Sequence, residues 1–199
     1  MSAAPHGAPE DSHDAKYRGA PGSLSADMGH YVKSMMKKMD RLLWGKEISG
    51  LIWLHDKADG QRLDQVVFLK KADGCAIGFY ADGMNPLISS NRVDESDDFN
   101  LYASYDELIE TEEKDSRSFR IDNLKLYFNA RYNELMGLYL SDDLGASLLI
   151  VFLDDEIHVI HHCKKSDVDT VFKEKKIHIP VNDIFIYERT HAGWTIQSA

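Results

Sequence analysis

Four side chains between residues 158 and 163 could bind a transition metal: His158, His161, His162 and Cys163. Imidazole nitrogens and thiolate sulfurs are the usual protein ligands of zinc. Side chains of an extended strand alternate between two faces and rise about 3.3 Å per residue, which would place His158 and His162 about 13 Å apart. His161 and Cys163 would share a face about 7 Å apart and could form half of a metal site. One hypothesis is therefore a small metal-dependent hydrolase that uses His161, Cys163 and a nearby carboxylate.

The same residues have a simpler structural interpretation. Ile157 and Val159 would occupy the strand face that carries His161 and Cys163, and such a face usually packs into a hydrophobic core. Pairs of adjacent aspartates at 97–98, 142–143 and 154–155 fall in predicted turns. Acid–base catalysis needs carboxylates in environments that separate their pKa values, whereas carboxylates in turns are typically solvated. We therefore predict no catalytic residue, no metal and no other cofactor.

Sequence motifs of the common enzyme classes are absent from the chain. It has no G-x-S-x-G nucleophile elbow and no cysteine within a protease signature. It has neither a G-x-x-x-x-G-K-[ST] phosphate loop nor a G-x-G-x-x-G dinucleotide motif after a strand. A non-enzymatic protein is therefore the better interpretation, and the hydrolase remains the alternative.

Negative charge is concentrated in one segment, residues 94–115. The segment holds ten carboxylates and one lysine, a local charge of −9 in a chain whose net charge is −10. Aromatic residues are interleaved with the carboxylates, a combination typical of an interface that meets a basic partner. A solvated segment that only improves solubility is the alternative. The candidate partner-binding residues are Asp94, Glu95, Asp97, Asp98, Phe99, Tyr102, Tyr105, Asp106, Glu110 and Glu113.

The charge also narrows the classes of partner. A net charge of −10 disfavours direct binding to nucleic acid, because phosphate contacts depend on Lys and Arg, and it disfavours an anionic membrane surface. The segment could imitate nucleic-acid phosphates and occupy the basic cleft of a nucleic-acid-binding protein. It could also contact the basic side of the first helix, within the chain or in a homodimer. We expect an inhibitor, adaptor or chaperone-like binder of a basic protein.

Several features of the sequence favour a cytoplasmic location. The longest apolar stretch, Leu148–Leu153, is far shorter than the roughly 20 residues of a membrane helix. The first 25 residues lack the apolar region of a secretory signal peptide. The two cysteines, Cys75 and Cys163, provide no disulfide framework, and reduced thiols are typical of the cytosol.

The N-terminal part of the chain predicts a tail, a helix and three strands. Residues 1–24 have almost no large aliphatic side chains and are predicted to be a disordered tail before a single domain over 25–199. An apolar stripe at helical spacing predicts a helix over 26–44 that ends at Gly45. The stripe consists of Met28, Val32, Met35, Met39 and Leu42. Strands separated by Asp-Gly turns follow at 48–55, 63–70 and 75–81.

The remaining elements include further predicted helices. A short strand is expected at 99–103, and the capping box Ser104–Glu107 predicts a helix from Tyr105 to Glu113. A second long helix is predicted from Asp122, with Gly137 at its end. Its apolar positions are Ile121, Leu124, Phe128, Tyr132, Leu135 and Tyr139, at steps of three and four. Strands at 148–153 and 156–163, a short helix at 166–175 and a hairpin of 183–188 with 194–197 complete the chain.

These elements together predict an α+β fold with antiparallel sheet and two long helices. The helix at 26–44 with its three strands agrees in order with the helix at 122–136 and the strands after it. We therefore propose a possible duplicated α-β-β-β module, with halves 25–115 and 118–199 related by a pseudo-twofold axis. The hypothesis requires one helix and three antiparallel strands in each half.

Overall fold

The computed structural model of the chain describes residues 26–81, 86–90, 107–113, 118–153, 155–164 and 184–198. The predicted tail, the predicted strand at 99–103 and the predicted helix at 166–175 lie outside these residues. The helix is α1 (Ala26–Leu42), and the strands are β1 (Glu47–Asp56), β2 (Arg62–Lys71), β3 (Ala76–Tyr80), β4 (Leu87–Ser89), β5 (Leu108–Glu113), β6 (Phe119–Arg120), β7 (Asn123–Asn129), β8 (Glu134–Ser141), β9 (Ser147–Leu153), β10 (Glu156–His161), β11 (Ile184–Thr190) and β12 (Gly193–Ser198).

Helix α1 carries the apolar stripe that its sequence predicts. Val32, Met35 and Met39 are buried on one side of the helix. Gly45 has a φ of 68°, a left-handed conformation that reverses the chain towards β1. The N–H of Gly45 donates to the carbonyl of Ile121 at 3.0 Å. The first predicted helix is therefore confirmed.

No helix in the described part of the chain has the length and apolar character that crossing a membrane requires.

The first sheet, sheet A, has the strand order β4-β3-β2-β1-β5, and β6 pairs with the beginning of β1. Strands β1, β2 and β3 confirm the three strands predicted there. Gly60 and Gly74 of the Asp-Gly turns have φ values of 72° and 84°, which glycine adopts without steric cost. In the second turn, Asp73 accepts the backbone N–H of Cys75 at 2.9 Å. This hydrogen bond is the main cause that lowers the pKa of Asp73.

The second sheet, sheet B, has the strand order β10-β9-β8-β7-β11-β12, and all its pairs are antiparallel. Strands β7 to β10 form a meander, and β11 and β12 form a hairpin that turns at His191 and Ala192. The strand predicted at 148–153 and the C-terminal hairpin are confirmed, and the strand predicted at 156–163 is confirmed as far as His161.

One hydrophobic core joins both sheets and the helix. Side chains from β1, β2 and β3 face those of β7, β8 and β9, and α1 contributes its buried stripe to the same core. Phe79 of sheet A and Phe152 of sheet B have ring centroids 6.0 Å apart. Tyr31 of α1 packs edge-on against Phe128 of β7 at 5.9 Å. Sheet A and α1 therefore cover the inner face of sheet B together.

The predicted α+β class with two long helices is wrong. The described residues are mostly strand, arranged in two antiparallel sheets with the single helix α1. Residues 122–136 form β7 and the beginning of β8 instead of a second helix. Residues 124–129 are all buried, because one side of β7 faces the core and the other faces a second buried cluster around Tyr127. Every second residue of β7 is apolar, as a strand requires, but Leu124 and Phe128 also fit a helical step of four.

A side-chain hydrogen bond and a left-handed backbone conformation, each at an asparagine, favour a turn between β7 and β8. The side-chain oxygen of Asn129 accepts the backbone N–H of Arg131 at 3.0 Å. Asn133 has a φ of 54°, in the left-handed region that asparagine tolerates better than most residues. The two asparagines therefore mark a hairpin turn.

The predicted duplication is also wrong, because its second copy needs a helix at 122–136. Strands β1–β2–β3 and β8–β9–β10 are both antiparallel meanders, but a helix precedes the first and strand β7 precedes the second. The predicted helix from Tyr105 to Glu113 is wrong for its described part, since Leu108–Glu113 is strand β5. Pairing with β1 overrides the local capping signal there, and the β-branched Ile109 and Thr111 favour a strand.

Candidate functional site

The described part of the acidic segment is strand β5 with Glu107 directly before it. We call residues 107–113 the acidic strand. Its carboxylates Glu107, Glu110, Glu112 and Glu113 are all exposed. Strand β5 pairs with β1 over six residue pairs, from Leu51–Glu113 to Asp56–Leu108. Backbone pairing with a buried strand therefore fixes the position of these carboxylates.

Strand alternation divides the carboxylates between two faces. Residues directly opposite in an antiparallel pair share a face. Glu112 lies opposite Ile52, whose side chain belongs to the cluster on the outer side of sheet A. Glu113 lies opposite Leu51, whose side chain belongs to the core between the sheets. On a helix, Glu110 and Glu113 would have shared one face, so the strand presents a different arrangement of charge from the predicted one.

On the outer side, Glu112 contacts a lysine of sheet A. The Nζ atom of Lys70 lies 2.5 Å from Oε1 of Glu112, and their side chains are 26% and 35% exposed. A partly exposed ion pair of this kind contributes about 0.2–1 kcal/mol. Lys70 therefore offsets one charge of the acidic strand.

On the other side, Glu113 connects the two sheets. Its Oε2 atom accepts the indole N–H of Trp53 at 2.9 Å. Its Oε1 atom lies 3.5 Å from Nε2 of His161 in strand β10 of sheet B. The Arg62 guanidinium lies over the Trp53 ring at 4.4 Å. The acidic strand therefore lies next to the β10 edge of sheet B.

The other predicted partner-binding residues lie outside the described residues. They are Asp94, Glu95, Asp97, Asp98, Phe99, Tyr102, Tyr105 and Asp106. Their role in binding stays a prediction, and Glu110 and Glu113 are the two predicted residues that the structure places.

The structure puts the two residues of the hypothetical metal site in different surroundings. His161 belongs to β10 and contacts Glu113 of sheet A. His162 has a φ of 54°, so the chain leaves the strand there. Cys163 is buried in the cluster on the outer side of sheet B. Within the described residues, no group of three or more His, Cys, Asp and Glu side chains could hold a metal ion.

A polar and aromatic cluster that the sequence did not reveal joins α1 to the last hairpin. Asp40 accepts Nε–H of Arg189 at 2.9 Å and the indole N–H of Trp194 at 3.0 Å. The Arg189 guanidinium lies 4.4 Å from the centre of the Trp44 ring. We call these four residues the Asp40 cluster. Asp40 and Trp194 are 154 positions apart, so no local spacing could indicate their contact.

Sheet B also contains a buried ion pair. Lys125 and Glu188 lie opposite each other on β7 and β11, with Nζ and Oε1 3.4 Å apart and side chains 2% and 9% exposed. Asn123 donates to Oε1 of Glu188 at 2.9 Å, and Gln197 donates to Oε2. These hydrogen bonds offset part of the desolvation cost of the buried carboxylate. Together with the Gln197 hydrogen bond, the ion pair links strands β7, β11 and β12.

Comparison with protein-family models, with curated proteins and with solved structures gave no match.

Proposed function

We propose that the protein is a non-enzymatic interaction protein that binds a basic protein partner through residues 94–115. The observation that carries this proposal is the acidic strand. Four exposed carboxylates lie within seven residues; Lys70 pairs with Glu112, and Glu113 contacts Trp53 and His161. Backbone pairing with β1 orders these charges before any partner arrives, which reduces the entropy cost of binding.

The partner of this proposal is cationic and approaches the β5 side of sheet A. Long-range attraction to the acidic segment accelerates its association, and the effect weakens as salt rises. A nucleic-acid-binding protein is one version, since a row of carboxylates can occupy a cleft that normally holds phosphates. The protein would then act as an inhibitor, an adaptor or a chaperone-like binder.

We also propose that the protein works in the cytoplasm. Cys75 is a free and exposed cysteine, and Cys163 is free and buried. An exposed free thiol is typical of a reducing compartment.

Neutralising the acidic strand tests the function. The variant Glu107→Gln/Glu110→Gln/Glu113→Gln keeps the side-chain shapes and removes three negative charges. With a ten-residue arginine peptide as probe, we expect the dissociation constant to rise between about threefold and a hundredfold at low salt, since three exposed ion pairs together supply about 0.6–3 kcal/mol. Isothermal titration at several salt concentrations measures this change.

A matched control separates the acidic strand from overall charge. The variant Glu47→Gln/Asp143→Asn/Asp155→Asn removes three exposed charges elsewhere. Its dissociation constant should rise less than about threefold. Equal losses of affinity in both variants would show that the peptide responds to the net charge of the protein, and the proposed site would be wrong.

Affinity capture then tests the whole segment. The intact chain and a chain with Asn and Gln in place of every carboxylate from 94 to 115 are used as baits. We expect basic proteins to be retained by the intact chain alone. Identical sets of retained proteins would contradict the proposal.

A further inference from the structure

Strand β12 lies at the edge of sheet B and pairs on one side. Within the described part of the chain its hydrogen-bonded neighbour is β11, and no strand lies on its other side. Every second residue of such a strand directs its N–H and C=O groups away from the existing partner. Three of its six residues therefore offer backbone groups to an additional strand.

The sequence of β12 lacks the features that usually protect a sheet edge. Its residues are Gly, Trp, Thr, Ile, Gln and Ser, with neither a charged residue nor a proline. Natural edge strands commonly carry lysine or other charges, proline or a bulge, because an unprotected edge pairs with other chains. Strand β5 of sheet A illustrates such protection, since three of its six residues are glutamates.

An apolar side chain is exposed on this edge. Ile196 lies opposite Tyr187, which is buried in the core, so both side chains point to the inner side of sheet B. Tyr187 is 2% exposed, whereas Ile196 is 61% exposed. The inner face of the sheet therefore ends in an uncovered isoleucine, and an additional strand would cover it.

The edge is held in place before any strand is added. Trp194 of β12 donates to Asp40 of α1, and Gln197 of β12 donates to Glu188 of β11. Each of these contacts anchors the strand to a different element of the fold. Binding at this edge would therefore require little ordering of β12 itself.

We propose that β12 pairs with β12 of a second copy of this chain. The two strands run antiparallel about a twofold axis, and Ile196 lies opposite Ile196 of the second copy. The two B sheets then form one continuous sheet of twelve strands. Because a twofold contact uses the same surface on both copies, it closes after two chains.

Strand β12 carries no charged residue that could select a basic or an acidic partner, and its exposed Ile196 is complementary to the same apolar residue of a second copy. Among the described residues near β12, Arg189 pairs with Asp40, Lys125 with Glu188 and His191 with Asp122. The acidic strand contacts β10, five strands away from β12, which is about 24 Å at the usual strand spacing. This distance exceeds two Debye lengths at physiological salt. Two acidic chains can therefore meet at β12 with their acidic strands far apart.

The contact is small, so we expect a weak and concentration-dependent dimer. Sedimentation equilibrium should show the mass rising from 22.6 kDa towards twice that value as concentration increases. The variant Ile196→Lys places two like charges opposite each other and should weaken the dimer about tenfold or more. The control Leu144→Lys adds the same charge at a residue that is 74% exposed in the turn between β8 and β9.

Three results would overturn the proposal. A monomer mass at all concentrations up to about 1 mM would exclude the dimer. A dimer that persists in Ile196→Lys, or that weakens equally in Leu144→Lys, would place the contact elsewhere. Amide hydrogen exchange of the unmodified protein needs no variant: protection of residues 194–198 should increase with concentration, and constant protection would contradict the pairing.

Disulfide trapping tests the register. In a Cys75→Ser background, Ile196→Cys places two thiols opposite each other, with Cα atoms about 4.5–5.5 Å apart, a separation that a disulfide spans. Oxidised glutathione should convert this variant to a covalent dimer at least tenfold faster than Leu144→Cys in the same background. Equal rates would show that the two Ile196 positions do not meet.

Discussion

Tyr31 illustrates how burial changes the chemistry of a single side chain. Its ring lies on α1, edge-on to Phe128 in the core. Burial, with a smaller effect from the Glu134 carboxylate, raises the pKa of Tyr31 to about 12 from an ordinary value of 10.0. The folded protein therefore holds the phenolic proton more tightly than the unfolded chain does.

This shift predicts a loss of stability in alkali. The stabilisation is fully present below pH 10 and is lost as the pH rises to about 12, because the unfolded chain releases the proton first. We expect the difference in free energy of unfolding between the natural protein and Tyr31→Phe to fall by about 1–2 kcal/mol over this range, after allowing for solvent screening. Urea titrations at pH 9 to 12 measure it.

The control for this prediction is Tyr132→Phe, since Tyr132 is 53% exposed in the turn between β7 and β8. If the free energies of unfolding of the natural protein and of Tyr31→Phe change in parallel from pH 10 to 12, the titration of Tyr31 is not linked to folding.

Side-chain roles could be predicted from the sequence where they depend on local spacing. The buried positions Val32, Met35 and Met39 follow directly from the helical period. Glu113 shows the limit of such reasoning. Its contacts with Trp53 and His161 depend on which strands become neighbours, and no spacing along the chain encodes that.

Among the elements, β3 depends on a glycine. A Cβ atom at Gly78 would lie 2.6 Å from Cε2 and 2.7 Å from the hydroxyl oxygen of Tyr80. Tyr80 is fully buried and packs edge-on against Phe68 at 5.9 Å, so its ring has little room to move. Gly78 therefore provides the space in which this aromatic pair lies.

We predict that Gly78→Ala lowers the free energy of unfolding by about 1–3 kcal/mol, because the added methyl group overpacks the sheet. Gly29→Ala is the control: no atom lies within 4 Å of its Cβ position in α1, and alanine there should raise stability by about 0.5–1 kcal/mol. Adding Tyr80→Leu to Gly78→Ala should cost less than the sum of the two single changes. Denaturant titrations measure the free energy of unfolding of each variant. An unchanged free energy in Gly78→Ala would contradict the steric argument.

The type of each element could be predicted where turns and periodicity agree. Asp-Gly turns flanked by apolar runs gave β1, β2 and β3, with Gly60 and Gly74 in the expected left-handed conformation. Strand β7 shows the period-two pattern of a strand at Leu124, Leu126 and Phe128, but Leu124 and Phe128 also fit a helical step of four, which the helix prediction follows. Strand β5 was missed because its partner, β1, lies more than fifty residues earlier in the chain.

For the whole molecule, the shared core makes the two sheets interdependent. Phe79 and Phe152 meet across the sheets, and α1 fills the remaining part of the same core. Without the other sheet, the apolar inner face of each sheet would be exposed to water. The predicted α+β class failed at this scale, because a second helix was assigned to residues that the core uses as strands.

We therefore predict one cooperative unfolding transition. Trp53 reports on sheet A and Trp194 on sheet B, so variants that keep one of them and replace the other tryptophans by Phe follow each sheet separately. Both fluorescence midpoints should coincide with that of far-UV circular dichroism.

Phe152→Ala should lower the free energy of unfolding by about 3–5 kcal/mol and shift the unfolding midpoints of both tryptophan probes equally. Two separate transitions would mean that the sheets unfold independently.

The Asp40 cluster has a consequence for synthesis on the ribosome. Asp40 leaves the exit tunnel long before the Trp194 that it binds, since 154 residues separate them. At about 5–20 residues per second, translation of that interval takes roughly 8–30 s. The contact of Asp40 with the last hairpin must wait for this time, so α1 completes its packing only after that hairpin emerges, and the nascent chain is exposed to chaperones and to aggregation until then.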